Sequence, residues 1–220
     1  MLPLPSRLIP IAVFAVLSTL APAAPQQWAG EIDALTKNDA THPPPTGGVL
    51  FVGSSSIRMW TTLADDFKGI PVINRGFGGS EVADSVFYAD RIAIPYGPRL
   101  VVLYAGDNDI AAGKSPEAVA ADFEAFRAKI HASLPTTRIL YLSIKLSPSR
   151  AKFKTQMIRA NELIAAICSA HPECSFVDVT TPMLDADGNP RPELFRPDQL
   201  HMNPAGYALW TKVLAPHLKS

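Results

Sequence analysis

A three-layer α/β/α domain around a parallel five-stranded sheet is the fold this 220-residue sequence predicts, on two observations. Short apolar runs alternate with longer stretches whose apolar residues recur every three or four positions. That is the pattern of strands joined by helices that cover both faces of a parallel sheet. Unusual polar clusters follow the apolar runs, at the carboxyl edge where such sheets bind their ligands. A chain of this length builds one sizeable core by default.

The amino terminus reads as an address. Arg7 precedes an apolar run, Leu8 to Leu20, that ends in Ala21-Pro22-Ala23-Ala24. A positive start, a short apolar stretch and a small-x-small end make a secretory signal over residues 1–23, with cleavage after Ala23. The run is short for a membrane span, and no cysteine near the cleavage site marks a lipoprotein. The expectation is an exported protein, periplasmic or secreted, with no membrane span after cleavage. Residues 24–47 then form an extension on the outside of the domain. Trp28, Ile32 and Leu35 give a short helix over 26–38 with one apolar face, and Pro43-Pro44-Pro45 with Gly47-Gly48 make a stiff linker.

The main domain starts at residue 48. Val49 to Val52 is a buried strand ended by Gly53, and Ser54-Ser55-Ser56 leads into a helical segment with Ile57, Trp60 and Leu63 spaced along it. Ile70 to Ile73 is the second strand and runs into Asn74-Arg75-Gly76-Phe77-Gly78-Gly79-Ser80, where the glycines call for a sharp turn or a close approach. A helix anchored by Val82, Val86 and Ile92 follows. Arg99 to Tyr104 is the clearest strand, and it ends in Ala105-Gly106-Asp107-Asn108-Asp109. Ser115 caps a helix with Pro116 at its first position, and Val119, Phe123, Phe126, Ile130 and Leu134 form its buried face. Arg138 to Ile144 is the fourth strand. Phe153, Met157, Ala160, Ile164 and Ile167 mark a long helix ending near Cys168. Ser175 to Val179 is the last strand, and residues 203–218 the last helix, with Tyr207, Trp210, Val213 and Leu214 inward.

Composition excludes several classes of partner. Twenty basic residues balance twenty acidic ones, charged residues are 18% of the chain and apolar ones 47%. There is no electrostatic footprint for nucleic acid and no basic stripe for an anionic membrane. In an oxidising compartment Cys168 and Cys174 are close enough in sequence to pair as a disulfide; the other reading is two buried thiols.

The polar clusters carry chemistry when taken together. Acyl transfer from an ester needs a nucleophile, a base, a group that orients the base, and donors for the oxyanion. A serine of the 54–56 turn supplies the nucleophile, although serine is also a good helix cap. His201 supplies the base, since imidazole titrates near neutrality. Asp198, three residues earlier, shares a loop with it and fixes its tautomer. The Gly79 N–H, the Asn108 amide and the nucleophile's own N–H are the candidate oxyanion donors. The turn lacks the second glycine of a Gly-x-Ser-x-Gly elbow, which excludes that layout. Asp107 and Asp109 are read as structural, and Arg58 and Arg75 as structural residues or as binders of an acidic group. Asp185-Ala186-Asp187-Gly188-Asn189 fails as a calcium loop, with Pro190 where glycine is needed and Arg196 where glutamate is needed.

With these blocks in hand the chain resembles the SGNH hydrolases, the GDSL family of esterases and lipases. It is similar to the branch related to the catalytic subunits of platelet-activating-factor acetylhydrolase. Gly53-Ser54-Ser55 matches the Gly-Asp-Ser block, Asn74 to Ser80 the glycine block, Gly106-Asp107-Asn108-Asp109 the Gly-x-Asn-Asp block, and Asp198 to His201 the final block. The resemblance implies a flavodoxin-like SGNH hydrolase domain over 48–220, a triad of Ser55, Asp198 and His201, and an oxyanion hole from Ser55, Gly79 and Asn108. It implies a short-chain acyl or acetyl ester as substrate and neither metal nor other cofactor. Ser54 departs from the family pattern, which has Asp there. Two other readings accompany this one: an O-deacetylase of polysaccharide or peptidoglycan, and a carbohydrate- or lipid-binding module without turnover. No signature in residues 145–153 or 182–197 selects the substrate.

Overall fold

The computed structural model describes residues 25–37 and 39–219; the secretory signal expected over 1–23 lies outside them. A 3₁₀ turn at Pro25–Trp28 opens α1, Ala29–Thr36, and the chain then enters β1, Val49–Gly53. In order follow α2 (Ser55–Arg58), α3 (Leu63–Asp66), β2 (Val72–Gly76), α4 (Val82–Ile92) and β3 (Leu100–Tyr104). The remainder is α5 (Asp107–Ala111), α6 (Pro116–Ser133), β4 (Arg138–Leu142), α7 (Lys154–Ala170), β5 (Cys174–Val177) and α8 (Pro204–Leu214).

The five strands are all parallel, in the order β2-β1-β3-β4-β5. This is the flavodoxin-like order, and it puts the switch point beside β1 and β3. The register lines up the strand ends, because Gly53 pairs with Gly76 on one side and Tyr104 on the other. Three turns therefore leave the sheet side by side.

Strand residues alternate between two cores. Leu50, Val52, Val101, Leu103, Ile139 and Tyr141 pack with α1, α4, α6 and α7. Val49, Phe51, Leu100, Val102, Tyr104, Leu140 and Leu142 pack with α8 and the segment after β1. On the second face Phe51, Trp60, Phe67 and Trp210 make an aromatic cluster with ring centroids 5.6–6.0 Å apart, within the range for favourable ring pairs.

The helices follow their expected faces. Val119, Phe123, Phe126 and Ile130 of α6 are buried, and the Ser115 hydroxyl accepts from the Ala118 N–H at 3.2 Å. Met157, Ala160, Ile164 and Cys168 of α7 are buried as well.

β4 ends at Leu142 rather than Ile144, β5 is Cys174–Val177 rather than 175–179, and other local expectations shift as well. β2 starts two residues later than read, because Pro71 has no N–H for a ladder; its carbonyl instead accepts from Val49. Asn74, Arg75 and Gly76 extend the strand, pairing with Phe51, Val52 and Gly53. The segment after the serines is two single turns rather than one helix. The Asn74 side chain donates to the Ile57 carbonyl at 2.7 Å, and Trp60 Nε1 and Thr62 Oγ1 both donate to Asp66, at 2.6 and 2.7 Å. These bonds draw the chain out of helical continuity. The last helix ends at Leu214 instead of 218, because Pro216 removes a donor and crowds the preceding turn, leaving a 3₁₀ turn at Ala215–His217. The segment read as an outer extension also enters the core through Ile32, which is fully buried. Cys168 and Cys174 are both buried and lie side by side, with sulfurs 2.7 Å apart.

Candidate active site

The serine turn is fixed by the sheet beneath it. Gly53 has φ of +131°, and a Cβ there would lie 1.9 Å from the Tyr104 carbonyl oxygen, so no side chain fits. The Ser54 N–H donates to that same carbonyl at 2.9 Å, and the Phe77 N–H donates to the Gly53 carbonyl at 2.9 Å. Ser54 is extended, Ser55 opens α2 and is half-buried, and Ser56 is buried. The Ser56 hydroxyl accepts from Lys145 Nζ at 3.2 Å and its carbonyl from the Tyr207 hydroxyl at 3.0 Å. Ser54 Oγ, in the position of the departure, is buried and has no hydrogen-bond partner among the described residues. Of the three hydroxyls, Ser55 meets the histidine.

His201 Nε2 lies 3.0 Å from Ser55 Oγ, and His201 Nδ1 lies 2.7 Å from Asp198 Oδ2. An ionised carboxylate only accepts, so Nδ1 carries the proton and Nε2 is left to accept from the serine hydroxyl. The other carboxylate oxygen accepts the backbone N–H groups of Leu200 and His201, both at 2.9 Å. Partial burial opposes ionisation of Asp198, but the His201 ring and these N–H donors outweigh it and hold the carboxyl at about 2. Between them Gln199 takes φ of +53°, the left-handed region that a non-glycine residue enters when its surroundings require it. Its carbonyl accepts from the Ser149 N–H at 3.1 Å.

Gly79 lies in the loop after β2, with φ of +66° and the Trp28 ring facing the position of its missing Cβ at 3.3 Å. The Gly78 N–H donates to Glu31 at 2.8 Å. Trp28 and Glu31 therefore brace the glycine loop from the amino-terminal segment, which the sequence reading had set apart from the site. Asn108, in α5, donates its amide to the Ser80 carbonyl at 3.0 Å and accepts from Arg150 at 2.8 Å. The neighbouring aspartates are structural. Asp109 is fully buried and accepts from the Val82 N–H at 3.1 Å. Burial pushes it up to about 7, against the pull of Lys114 and that N–H. Burial also opposes the charge on Asp107, yet Lys145 and Arg150 prevail and hold it below the ordinary carboxylate range.

Of the arginines left with two readings, Arg75 is structural: it pairs with Asp39 at 2.8 Å and lies over the Tyr96 ring. Arg58 faces Glu31 at 3.5 Å. Sequence reasoning missed Lys145 and Arg150. Lys145 is 1% exposed and donates to Ser56, Tyr104 and Asp107. Residues 145–153 carry no local signature, because the partners that fix Lys145 and Arg150 (Ser56, Tyr104, Asp107 and Asn108) lie 38 to 89 positions away. A separate cavity of about 420 Å³, lined by Leu146, Ile158, Asn161, Phe176, Asp178 and Leu184 among others, includes none of Ser55, Asp198 and His201.

A family model described as GDSL-like Lipase/Acylhydrolase matches residues 38–209. Among solved structures, the chain is similar to a Streptococcus pneumonia protein provisionally described as a platelet activating factor (22% identity, 88% of this chain and 94% of that one, TM-score 0.78). It is similar to a GDSL-like lipase from Bacteroides thetaiotaomicron VPI-5482 (22% identity, 89% and 97%, TM-score 0.69). It is also similar to the acetylxylan esterase Axe2 from Geobacillus stearothermophilus (14% identity, 80% and 95%, TM-score 0.62). At these identities the likeness is one of fold. A comparison with curated proteins finds no match.

Proposed function

The chain belongs to the GDSL-like lipase/acylhydrolase family and is a carboxylic ester hydrolase; on that premise we propose that it is an exported serine esterase of short-chain acyl or acetyl esters. The observation that carries the mechanism is the chain of contacts from Asp198 through His201 to Ser55, at 2.7 and 3.0 Å, between residues up to 146 positions apart.

Ser55 Oγ attacks the acyl carbon and its proton passes to His201 Nε2. Asp198 steadies the imidazolium that forms. The carbonyl oxygen, now negative, is held by the N–H groups of Gly79 and Ser55 and by the Asn108 amide. The tetrahedral intermediate collapses, the C–O bond to the alcohol breaks, and His201 returns the proton to the departing oxygen. Water then attacks the acyl-serine by the same route, giving the acid and free Ser55. Export is supported by the positive-apolar-small pattern of residues 7–24.

Hydrolysis of p-nitrophenyl esters from acetate to decanoate, by wild type and Ser55→Ala at equal concentration, tests the reading. The expected result is turnover falling with chain length and lost in the variant. Equal rates in both proteins would overturn the serine mechanism, and a maximum at decanoate would overturn the short-acyl preference. Amino-terminal sequencing of the protein recovered from the periplasm or medium tests export, with a start at or near Ala24 expected and a cytoplasmic chain retaining residues 1–23 contradicting it.

A further inference from the structure

The segment between β4 and α7 reaches both halves of the catalytic constellation. Its Ser149 N–H donates to Gln199 between the two base-loop residues, and the next side chain, Arg150, turns to the other half. Arg150 Nη2 donates to Asn108 Oδ1 at 2.8 Å, and Nη1 lies 3.4 Å from Asp107 Oδ2. The side chain is 16% exposed and its anchor Asp107 is 6% exposed, itself bonded to Lys145 at 3.0 Å. The guanidinium is thus held from behind by a buried carboxylate.

A carboxamide has one accepting oxygen and two N–H donors. Arginine has no acceptor, so the oxygen of Asn108 must face Arg150. The Ser80 carbonyl only accepts, so it takes one N–H, at 3.0 Å. With both sides committed the amide cannot flip, and a single N–H remains. A positive charge on the amide oxygen also makes that N–H a stronger donor.

Resting on the esterase reading above, we infer that Arg150 is the positioning residue of the oxyanion hole. It orients and polarises the Asn108 amide so that the free N–H meets the acyl oxygen as negative charge develops there. Arg150 touches no reacting atom, and all of its effect on the rate passes through Asn108.

A double-mutant cycle on p-nitrophenyl acetate hydrolysis tests this with Arg150→Ala, Asn108→Ala and the pair, thermal unfolding being followed on each. Asn108→Ala is expected to lower kcat by about 10²–10³. Arg150→Ala should lower kcat by roughly 10- to 100-fold, with KM within about twofold. Added to Asn108→Ala, the Arg150 change should alter kcat by less than about twofold, since the group it acts through is gone. The same fold loss in both backgrounds would overturn the inference in favour of a general structural role. Arg150→Lys, which keeps a charge for Asp107 without the fork that reaches the amide, carries the test if the alanine variant fails to fold. Full activity in the lysine variant would also overturn it. If Asn108→Ala leaves kcat unchanged while Ser55→Ala abolishes it, the oxyanion assignment falls and this inference with it, the serine mechanism standing. If Asn108→Ala is impaired and Arg150→Ala is not, this inference falls alone.

Discussion

The turn that carries Ser55 and the loop that carries Asp198 and His201 come within 3.0 Å of each other, yet they are held by different means. The serine turn is an extension of the sheet. Its glycine is wedged against the β3 backbone, the Ser54 N–H donates to β3, the Gly53 carbonyl accepts from Phe77 just after β2, and Ser54 and Ser56 are buried. The base loop is held mostly by itself. Asp198 is half-exposed and folds its carboxylate back onto the next N–H groups, Gln199 takes the left-handed turn, and a single antiparallel bridge joins Phe195 to Met202. The position of Ser55 is a property of the whole fold, whereas that of Asp198 and His201 rests mainly on bonds within their own loop, with one more from the Ser149 N–H to Gln199.

Substitutions in the two regions should therefore separate activity from stability. Asp198→Asn keeps an oxygen for the Leu200 and His201 N–H groups, so the loop should persist. The imidazole loses the partner that fixes its tautomer, and kcat should fall by about 10³–10⁴, far more than the modest loss of Tm that goes with removing the charge of a half-exposed carboxylate. A kcat within tenfold of wild type would contradict the assignment. Gly53→Ala is the converse. The new methyl group meets the Tyr104 carbonyl in a left-handed backbone, and stability should fall by roughly 2–4 kcal/mol, about 5–15 °C in Tm for a domain this size. An unchanged melting temperature would show that the turn is not locked as described.

The same contrast predicts opposite pH responses from two aspartates. Asp198, held at about 2 in the folded chain, is ionised more easily there than when unfolded. Its contribution to stability is present above its ordinary value near 3.8 and is lost as pH falls through about 2. Asp109, buried at the start of α4 and raised to about 7, has the other sign. The folded state holds its proton longer, so stability drains as pH rises from about 4 through about 7. Melting curves of wild type and Asp109→Asn should therefore diverge over that interval, the wild type losing ground. Parallel curves would contradict the buried, proton-retaining environment. The smallest effect belongs to Gln199→Gly, which relieves the left-handed backbone but loosens the loop; the two nearly cancel, leaving Tm within about 2–4 °C of wild type.

The contrast also explains what could be read from sequence. Val49–Gly53 and Leu100–Tyr104 were plain because both faces of a central parallel strand are buried, and a continuous apolar run follows from that. Asp198 and His201 were legible as a pair because they share one loop, and the serine turn because it follows a strand, both of which are local patterns; the choice of Ser55 among three serines came from the family resemblance, and Ser55 is the one that lies 3.0 Å from His201. Asn74–Gly76 looked like loop because its polar residues are satisfied by Ile57, Asp39 and Tyr96, partners some 17 to 36 positions away. Lys145 and Arg150 were opaque for the same reason. Nothing near a lysine in sequence shows that an aspartate and a tyrosine from the adjacent strand's end will bury it. Ile32 was assigned to the periphery because its helix is short, while its burial depends on α4.

In the proposed mechanism Ser55, and not Ser54 or Ser56, is the nucleophile. An ethyl fluorophosphonate probe followed by peptide mass spectrometry tests it most directly. One adduct per chain is predicted, placed by fragmentation on Ser55 and absent from Ser55→Ala and from protein unfolded before labelling. An adduct on Ser54 or Ser56, or labelling of Ser55→Ala at the wild-type rate, would contradict the account.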